Sequence, residues 1–249
     1  MTQPNFPLLA TARHLGAAIA PTLAAMIRCF TALFALCLLA VSATAQTASP
    51  PARLQQAVSA TTAAKTPYAF NLDIASEQQN WRLRFHPRAD PRLQSLQPRA
   101  ENLEDDQRRA LERMRERLEG LPWCASDEMR RVADVRLLRE DAQTATYAFQ
   151  PTRESIRSEQ ARGFARQLRG EFTITKNAPD LTRLRIYAPH AFSPMLLVNI
   201  ERLDIIVTCA AAPNGRRYAA ETVSEVRGAA FGQVFSERSV QRTHGVVAP

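Results

Sequence analysis

Tyr68-Ala-Phe-Asn-Leu-Asp-Ile74 and, six residues further on, Trp81-Arg-Leu-Arg-Phe85 alternate large apolar with smaller or polar residues at a period of two. Successive side chains of a strand point to opposite faces, so this alternation marks strands with one face buried and one in water. Tyr68, Phe70, Leu72 and Ile74 share one face, and Trp81, Leu83 and Phe85 share another with Arg82 and Arg84 opposite them. The residues up to Asn80 make the turn between the two runs.

The same period recurs along the chain, at 132–138, 144–149, 171–176, 181–187, 198–210, 216–227 and 230–240. Short links carrying turn chemistry separate these runs: Arg139-Glu-Asp-Ala-Gln143, Asn177-Ala-Pro-Asp180, Pro213-Asn-Gly215 and Gly228. Consecutive strands with such links predict an antiparallel meander. In the 198–210 run the alternation changes phase. Val198 and Ile200 have one parity, and Leu203, Ile205, Val207 and Cys209 have the other. One extra residue near Glu201 or Arg202, a β-bulge, returns both sets to one face and bends the sheet.

Two helices are expected to interrupt the strands. The first runs over 102–119, with Asn102 as its cap, Glu104, Asp105 and Asp106 in its first turn, arginines later, and Gly120 and Pro122 after its end. Its apolar stripe, which includes Leu103, Leu111, Met114 and Leu118, is narrow, so this helix belongs over an opening and acts as a lid. The second is expected over 153–168, with Ile156, Phe164, Ala165 and Leu168 on one side. The resulting fold class is α+β: a curved antiparallel sheet of eight to ten strands, a half-open barrel, with two helices covering one face.

Outward from this domain, 67–243, the chain changes character. Residues 244–249 read as a C-terminal tail. Residues 46–66 are rich in small side chains and read as a flexible lead-in, because they offer little to bury against the entropy of ordering them. Before them stands Met26-Ile-Arg-Cys-Phe-Thr-Ala-Leu-Phe-Ala-Leu-Cys-Leu-Leu-Ala-Val-Ser-Ala-Thr-Ala45. Arg28 gives a positive start, 29–41 an apolar centre, and Ala43-Thr-Ala45 the small-residue site that a signal peptidase accepts. The stretch 26–45 is therefore expected to be a cleaved signal peptide directing the protein to the periplasm or outside the cell. The run is too short for a membrane span, and Leu36 before Cys37 argues against acylation. Residues 1–25 read as an extension produced by a start assigned too early.

The 249 residues are 45% apolar and 22% charged with a net charge of +8, which excludes collagen-like, low-complexity and many-span membrane chains. Residues 1–45 contain Arg13 and Arg28 and no acid, so their removal leaves about +6 on the rest. Arg82, Arg84, Arg183 and Arg185 take the parity opposite the apolar residues and form outward faces suited to an anionic membrane surface or to solvent. Export and the lack of a binding motif argue against nucleic acid as partner. Beyond residue 45 only Cys124 and Cys209 remain, and in an oxidising compartment they are expected to pair.

Leu168-Arg-Gly-Glu-Phe-Thr-Ile-Thr-Lys176, Leu184-Arg-Ile-Tyr-Ala-Pro-His-Ala-Phe-Ser-Pro194, Val198-Asn-Ile-Glu-Arg202 and Val226-Arg-Gly-Ala-Ala-Phe-Gly-Gln-Val-Phe-Ser-Glu237, with the earlier Phe85-His-Pro-Arg88, carry a resemblance. It spans about residues 66 to 241. The set resembles uncharacterised secreted proteobacterial proteins, which in turn resemble the outer-membrane lipoprotein carrier and receptor (LolA/LolB-like) superfamily. The resemblance implies an incomplete barrel whose apolar concave face, under helices, holds a lipid, a lipoprotein acyl chain or another apolar ligand. Tyr68, Phe70, Trp81, Phe85, Tyr147, Phe149 and Phe172 are the expected lining, with Leu111, Met114 and Leu118 on the lid. The alternative is that these residues pack a filled core and that the protein is an envelope structural or interaction module.

An enzyme is not expected. His86, His190 and His244 lack metal-ligand spacing, and no nucleophile elbow, Cys-x-x-Cys or phosphate loop is present, so neither metal nor cofactor is assigned. Glu140-Asp141 reads as a solvated turn.

Overall fold

The period-two runs fold as strands in the computed structural model, which describes residues 51–64, 66–77, 79–156 and 159–248. The expected signal peptide and the extension before it lie outside the described residues. In chain order the elements are α1 (Ala52–Ala63), β1 (Ala69–Ser76), β2 (Asn80–Phe85), β3 (Leu93–Gln97), α2 (Asp105–Arg117), β4 (Ala133–Glu140), β5 (Thr144–Gln150), β6 (Arg169–Thr175), β7 (Leu181–Tyr187), β8 (Phe192–Met195), β9 (Val198–Ala211), β10 (Arg217–Ala230) and β11 (Gln233–Val247). The strands form one antiparallel, curved, unclosed sheet in the order β3-β2-β1-β11-β10-β9-β7-β6-β5-β4, with β8 alongside β9. The fold class is the expected α+β half-open barrel.

The expected meander needs one correction. β1 pairs with the last strand, β11, through Asn71 opposite His244, Leu72 opposite Thr243 and Asp73 opposite Arg242. The first three strands therefore extend the sheet beyond its C-terminal strand. Alternation identifies a strand but leaves its partner open. The same pairing corrects the C-terminal tail, because His244 to Val247 continue β11. Two strands escaped the sequence reading: β3, and the four-residue β8, which contains Pro194.

The bulge falls where the phase change demands it. Arg227 pairs with Arg202 and Gly228 with Ile200, which leaves Glu201 as the extra residue. Val198, Ile200, Leu203 and Cys209 are all buried in consequence. Gly228 is required at this point, since a Cβ there would meet the Asn199 carbonyl oxygen at 2.2 Å.

The helices depart further from expectation. Within the expected flexible lead-in, 52–63 form α1, with Leu54, Ala57 and Val58 each fully buried and Thr61 nearly so. Spacings of three, four and seven residues put all four on one helix face, and that burial offsets the ordering entropy. Among the described residues, the expected helix over 153–168 is reduced to one turn at Glu159–Arg162 and a 3-10 turn at Ala165–Gln167. At its start Thr152 and Ser155 bond each other reciprocally through hydroxyls and backbone N–H groups, a cap that is followed only by a turn over 153–155, and Gly163 disfavours helix at its middle. α2 starts later than Asn102, which lies in a short 3-10 turn. Its cap is Glu104, in a reciprocal capping box where the Glu104 N–H donates to Gln107 Oε1 at 3.1 Å.

The core has two parts on the concave face. Under α1, Leu54, Ala57 and Val58 join Phe149, Phe172, Ile174, Leu181 and the cysteines. Under α2, Leu103, Leu111 and Leu118 join Tyr68, Phe70, Leu72, Trp81, Leu83 and Phe85.

Candidate ligand-binding face

The strands of the β1–β2 hairpin build an aromatic floor. Phe70 pairs with Phe85 across the two strands, and their rings stack with centroids 5.0 Å apart. Along β2, Trp81, Leu83 and Phe85 are buried while Asn80, Arg82 and Arg84 are exposed, the alternation read from the sequence. Tyr68 packs edge-on to Trp123 at 6.0 Å. Trp81 donates its indole N–H to Gln79 Oε1 at 3.1 Å, so the floor buries no unsatisfied indole.

Helix α2 covers this floor with little grip. Leu111 is its only fully buried residue, and Met114 is partly buried. Leu103 and Leu118, just outside the helix ends, supply the other anchors. A side-chain bond also ties it to the sheet, Arg115 Nε donating to the Leu93 carbonyl at 3.0 Å. Most other positions are charged and exposed, with Asp105 and Asp106 in the first turn and Arg115 and Arg117 in the last, each favoured by the helix dipole.

The seven expected lining residues do not form one site. Tyr68, Phe70, Trp81 and Phe85 lie beneath α2 with Leu111, Met114 and Leu118. Tyr147, Phe149 and Phe172 lie in the other part, beneath α1. Phe172 is 1% exposed and is flanked by Tyr147 at 5.2 Å and Phe149 at 5.8 Å. Phe149 also covers Gly170, where a Cβ would sit 2.1 Å from the ring. This half is tightly filled. The sequence reading missed α1 altogether, although Leu54, Ala57, Val58 and Thr61 carry the helical spacing.

Cys124 and Cys209 form a disulfide, with Sγ atoms 2.10 Å and Cα atoms 6.3 Å apart. It pins the segment after α2 to β9. Beside it, the Trp123 and Tyr218 backbones bridge, and the Arg217 N–H donates to Asp180 Oδ2 at 2.9 Å. Asp180 is buried, and that burial pushes its carboxyl above the ordinary carboxylate range, partly opposed by the Arg217 N–H and the Arg216 guanidinium.

The outward arginines divide. Arg82, Arg84 and Arg183 are exposed. Arg185 instead makes a bidentate pair with Asp204, at 2.9 and 2.7 Å, and stands 4.6 Å from the Tyr187 ring. Glu140 and Asp141 are structural. Lys176 and Arg53 hold the Glu140 carboxyl below its ordinary range, at 2.8 and 3.2 Å, and the Asp141 carboxylate accepts the Thr144 and Gln143 N–H groups of its turn. His244 approaches Asp73 at 3.2 Å, while His86 Nδ1 accepts from the Arg88 N–H.

Among the described residues no helix is long and apolar enough to cross a membrane, and no group of three His, Cys, Asp or Glu is placed to hold a metal ion. In comparisons with known proteins the chain matches no family model, no curated protein and no solved structure.

Proposed function

We propose that this is an exported, non-enzymatic binding protein that takes a lipid, a lipoprotein acyl chain or another apolar ligand onto the aromatic floor of its half-barrel when α2 lifts. The observation that carries the reading is the contrast between floor and cover. The floor is broad and apolar, whereas among the described residues the helix above it is held by Leu103, Leu111, Leu118 and Met114 together with the Arg115 bond to the Leu93 carbonyl. An acyl chain laid along Phe70, Leu83 and Phe85 replaces the contacts of Leu111 with a longer apolar surface, and each CH2 withdrawn from water contributes about 0.8 kcal/mol.

The sequence resemblance to secreted proteins that in turn resemble, more distantly, the lipoprotein carrier and receptor superfamily is in keeping with this reading, and the disulfide suits an oxidising compartment such as the periplasm. Exposed Arg82, Arg84 and Arg183 are available to anionic head groups at a membrane surface. Nucleic acid has no place in this account.

A second reading, an envelope interaction module with a filled core, is favoured by one specific fact. Apart from Tyr147, every expected lining residue is 3% exposed or less. Native mass spectrometry of the protein purified from periplasm separates the two. Co-purified lipid on a chain beginning at Gln46 supports the first reading. A bare chain that also fails to take up a fluorescent fatty acid overturns it in favour of the second.

A further inference from the structure

Strands β9, β10 and β11 outrun their neighbours. β7 pairs with β9 only over Asp204 to Thr208, and β1 pairs with β11 only from Ser239 onward. Residues 198–203 and 233–238 therefore extend beyond β7 and β1, six residues each and about 20 Å at a strand's rise, with β8 alongside the first at Val198 and Ile200, which are buried, so that the exposed apolar part is the pair of turns and Val234. Two tight turns close the projection, Leu196-Leu197 between β8 and β9 and Phe231-Gly232 between β10 and β11. The turns are joined side by side, because the Phe231 N–H donates to the Leu197 carbonyl at 2.9 Å.

This double turn is apolar and open to water. Leu196 is 87% exposed, Val234 82%, Phe231 64%, Leu197 62% and Met195 51%. In a chain that is 22% charged, 191–200 and 228–236 carry no charge at all. The first charges stand behind the tip, at Glu201, Arg202, Arg227 and Glu237.

The backbone makes these side chains harder to explain as chance. Leu197 has φ +65° and Phe231 φ +52°, the left-handed region that bulky side chains avoid. Phe231 and Gly232 both have positive φ, as a type I′ turn requires, and Asn-Gly is the pair that turn ordinarily selects. Phe231 gains neither core burial nor an easy turn, so its role lies in what the exposed ring meets.

We propose that the double turn is a membrane finger that inserts into the outer part of a phospholipid bilayer. The occupant follows from shape and charge. The tip is made of two turns joined by the Phe231–Leu197 hydrogen bond, and the residues behind it are uncharged for about 10 Å, the depth to which interfacial segments enter the acyl boundary. The mixed-charge row at Glu201, Arg202 and Arg227 then meets the head groups. A bilayer accepts such a tip without a shaped pocket. The inference stands apart from ligand binding under α2.

The test uses the chain from Gln46, which carries every described element, with vesicles of phosphatidylethanolamine and phosphatidylglycerol. Tryptophan in Leu196→Trp should shift its emission to the blue with vesicles and be quenched by brominated acyl chains beyond any quenching in the parent. Leu196→Asp with Val234→Asp, both at water-exposed positions, should keep the parent circular dichroism and weaken vesicle co-sedimentation about 100-fold, roughly tenfold per side chain withdrawn from water. An unshifted Leu196→Trp, or undiminished sedimentation of the double variant, overturns the proposal. So does a parent dimer in light scattering that the double variant makes monomeric without loss of vesicle binding, which would assign the tip to a protein contact.

Discussion

Leu111→Ala tests whether α2 is a lid or a fixed part of the core. Leu111 is 1% exposed, and truncating a leucine so buried removes about 2–5 kcal/mol of packing. A helix of 13 residues is marginal in water by itself, so α2 depends on this contact more than on its own propensity. If α2 opens without the sheet, the loss falls on the closed-to-open equilibrium, and about 2–3 kcal/mol enlarges the open population about 30- to 150-fold. Hydrogen exchange read by mass spectrometry should show protection lost by that factor in peptides covering 103–118 and retained in β9 and β10. The same variant should take up a fluorescent fatty acid faster than the parent. A uniform loss of protection across the sheet, matched by an equal drop in denaturant stability, refutes the lid and makes α2 an integral core helix.

Other outcomes follow from single sites. Phe172→Arg places an unpaired charge between Tyr147 and Phe149 beneath α1, a cost of several kcal/mol against a total of about 5–15, so circular dichroism should report an unfolded chain; a folded variant would mean that the α1 half has room to spare. Thr61→Val should raise the melting temperature by the equivalent of about 1 kcal/mol, since the buried Thr61 hydroxyl has no hydrogen-bond partner and valine keeps its shape. Stability should also pass through a maximum in mildly acid solution. Burial raises the carboxyls of Asp180 and Glu237, the latter also facing Glu77, so the folded state takes up protons first and gains stability as pH falls from neutral towards their ordinary values of 3.8 and 4.5. Glu140 and Asp141 are lowered by their partners, so the stability they contribute is present above those values and lost at lower pH. Thermal melts that only decline from pH 7 to 5 would contradict this.

Much of the sheet was legible because alternation is a local signal. Trp81, Leu83 and Phe85 announce their buried face, and the phase change after Ile200 narrows the bulge to Glu201 or Arg202, of which Glu201 is the extra residue. Strand order was not legible, because Asn71 opposite His244 is a pairing across nearly the whole domain that no local pattern specifies. α1 was obscured by composition: Ala57 and Thr61 are small, and their burial depends on Phe149 and Ile174 being there to receive the helix. The expected 153–168 helix shows the reverse error, in which Phe164 and Leu168 are buried without helical spacing being used. Six of the seven aromatics are buried and Tyr147 is half-buried, but parity cannot tell which helix covers which strand, so the expected lining falls into two clusters.

The central claim, that an apolar chain binds on the floor beneath α2, has a direct optical test. Trp81 and Trp123, the protein's 2 tryptophans, both belong to the α2-covered cluster, while Phe149 and Phe172 beneath α1 are silent. Titration with a fatty acid brominated along its chain should therefore quench tryptophan emission saturably, whereas the unbrominated acid should bind without quenching. Binding of the brominated acid, followed by an independent displaced probe, with tryptophan emission unchanged would contradict the account.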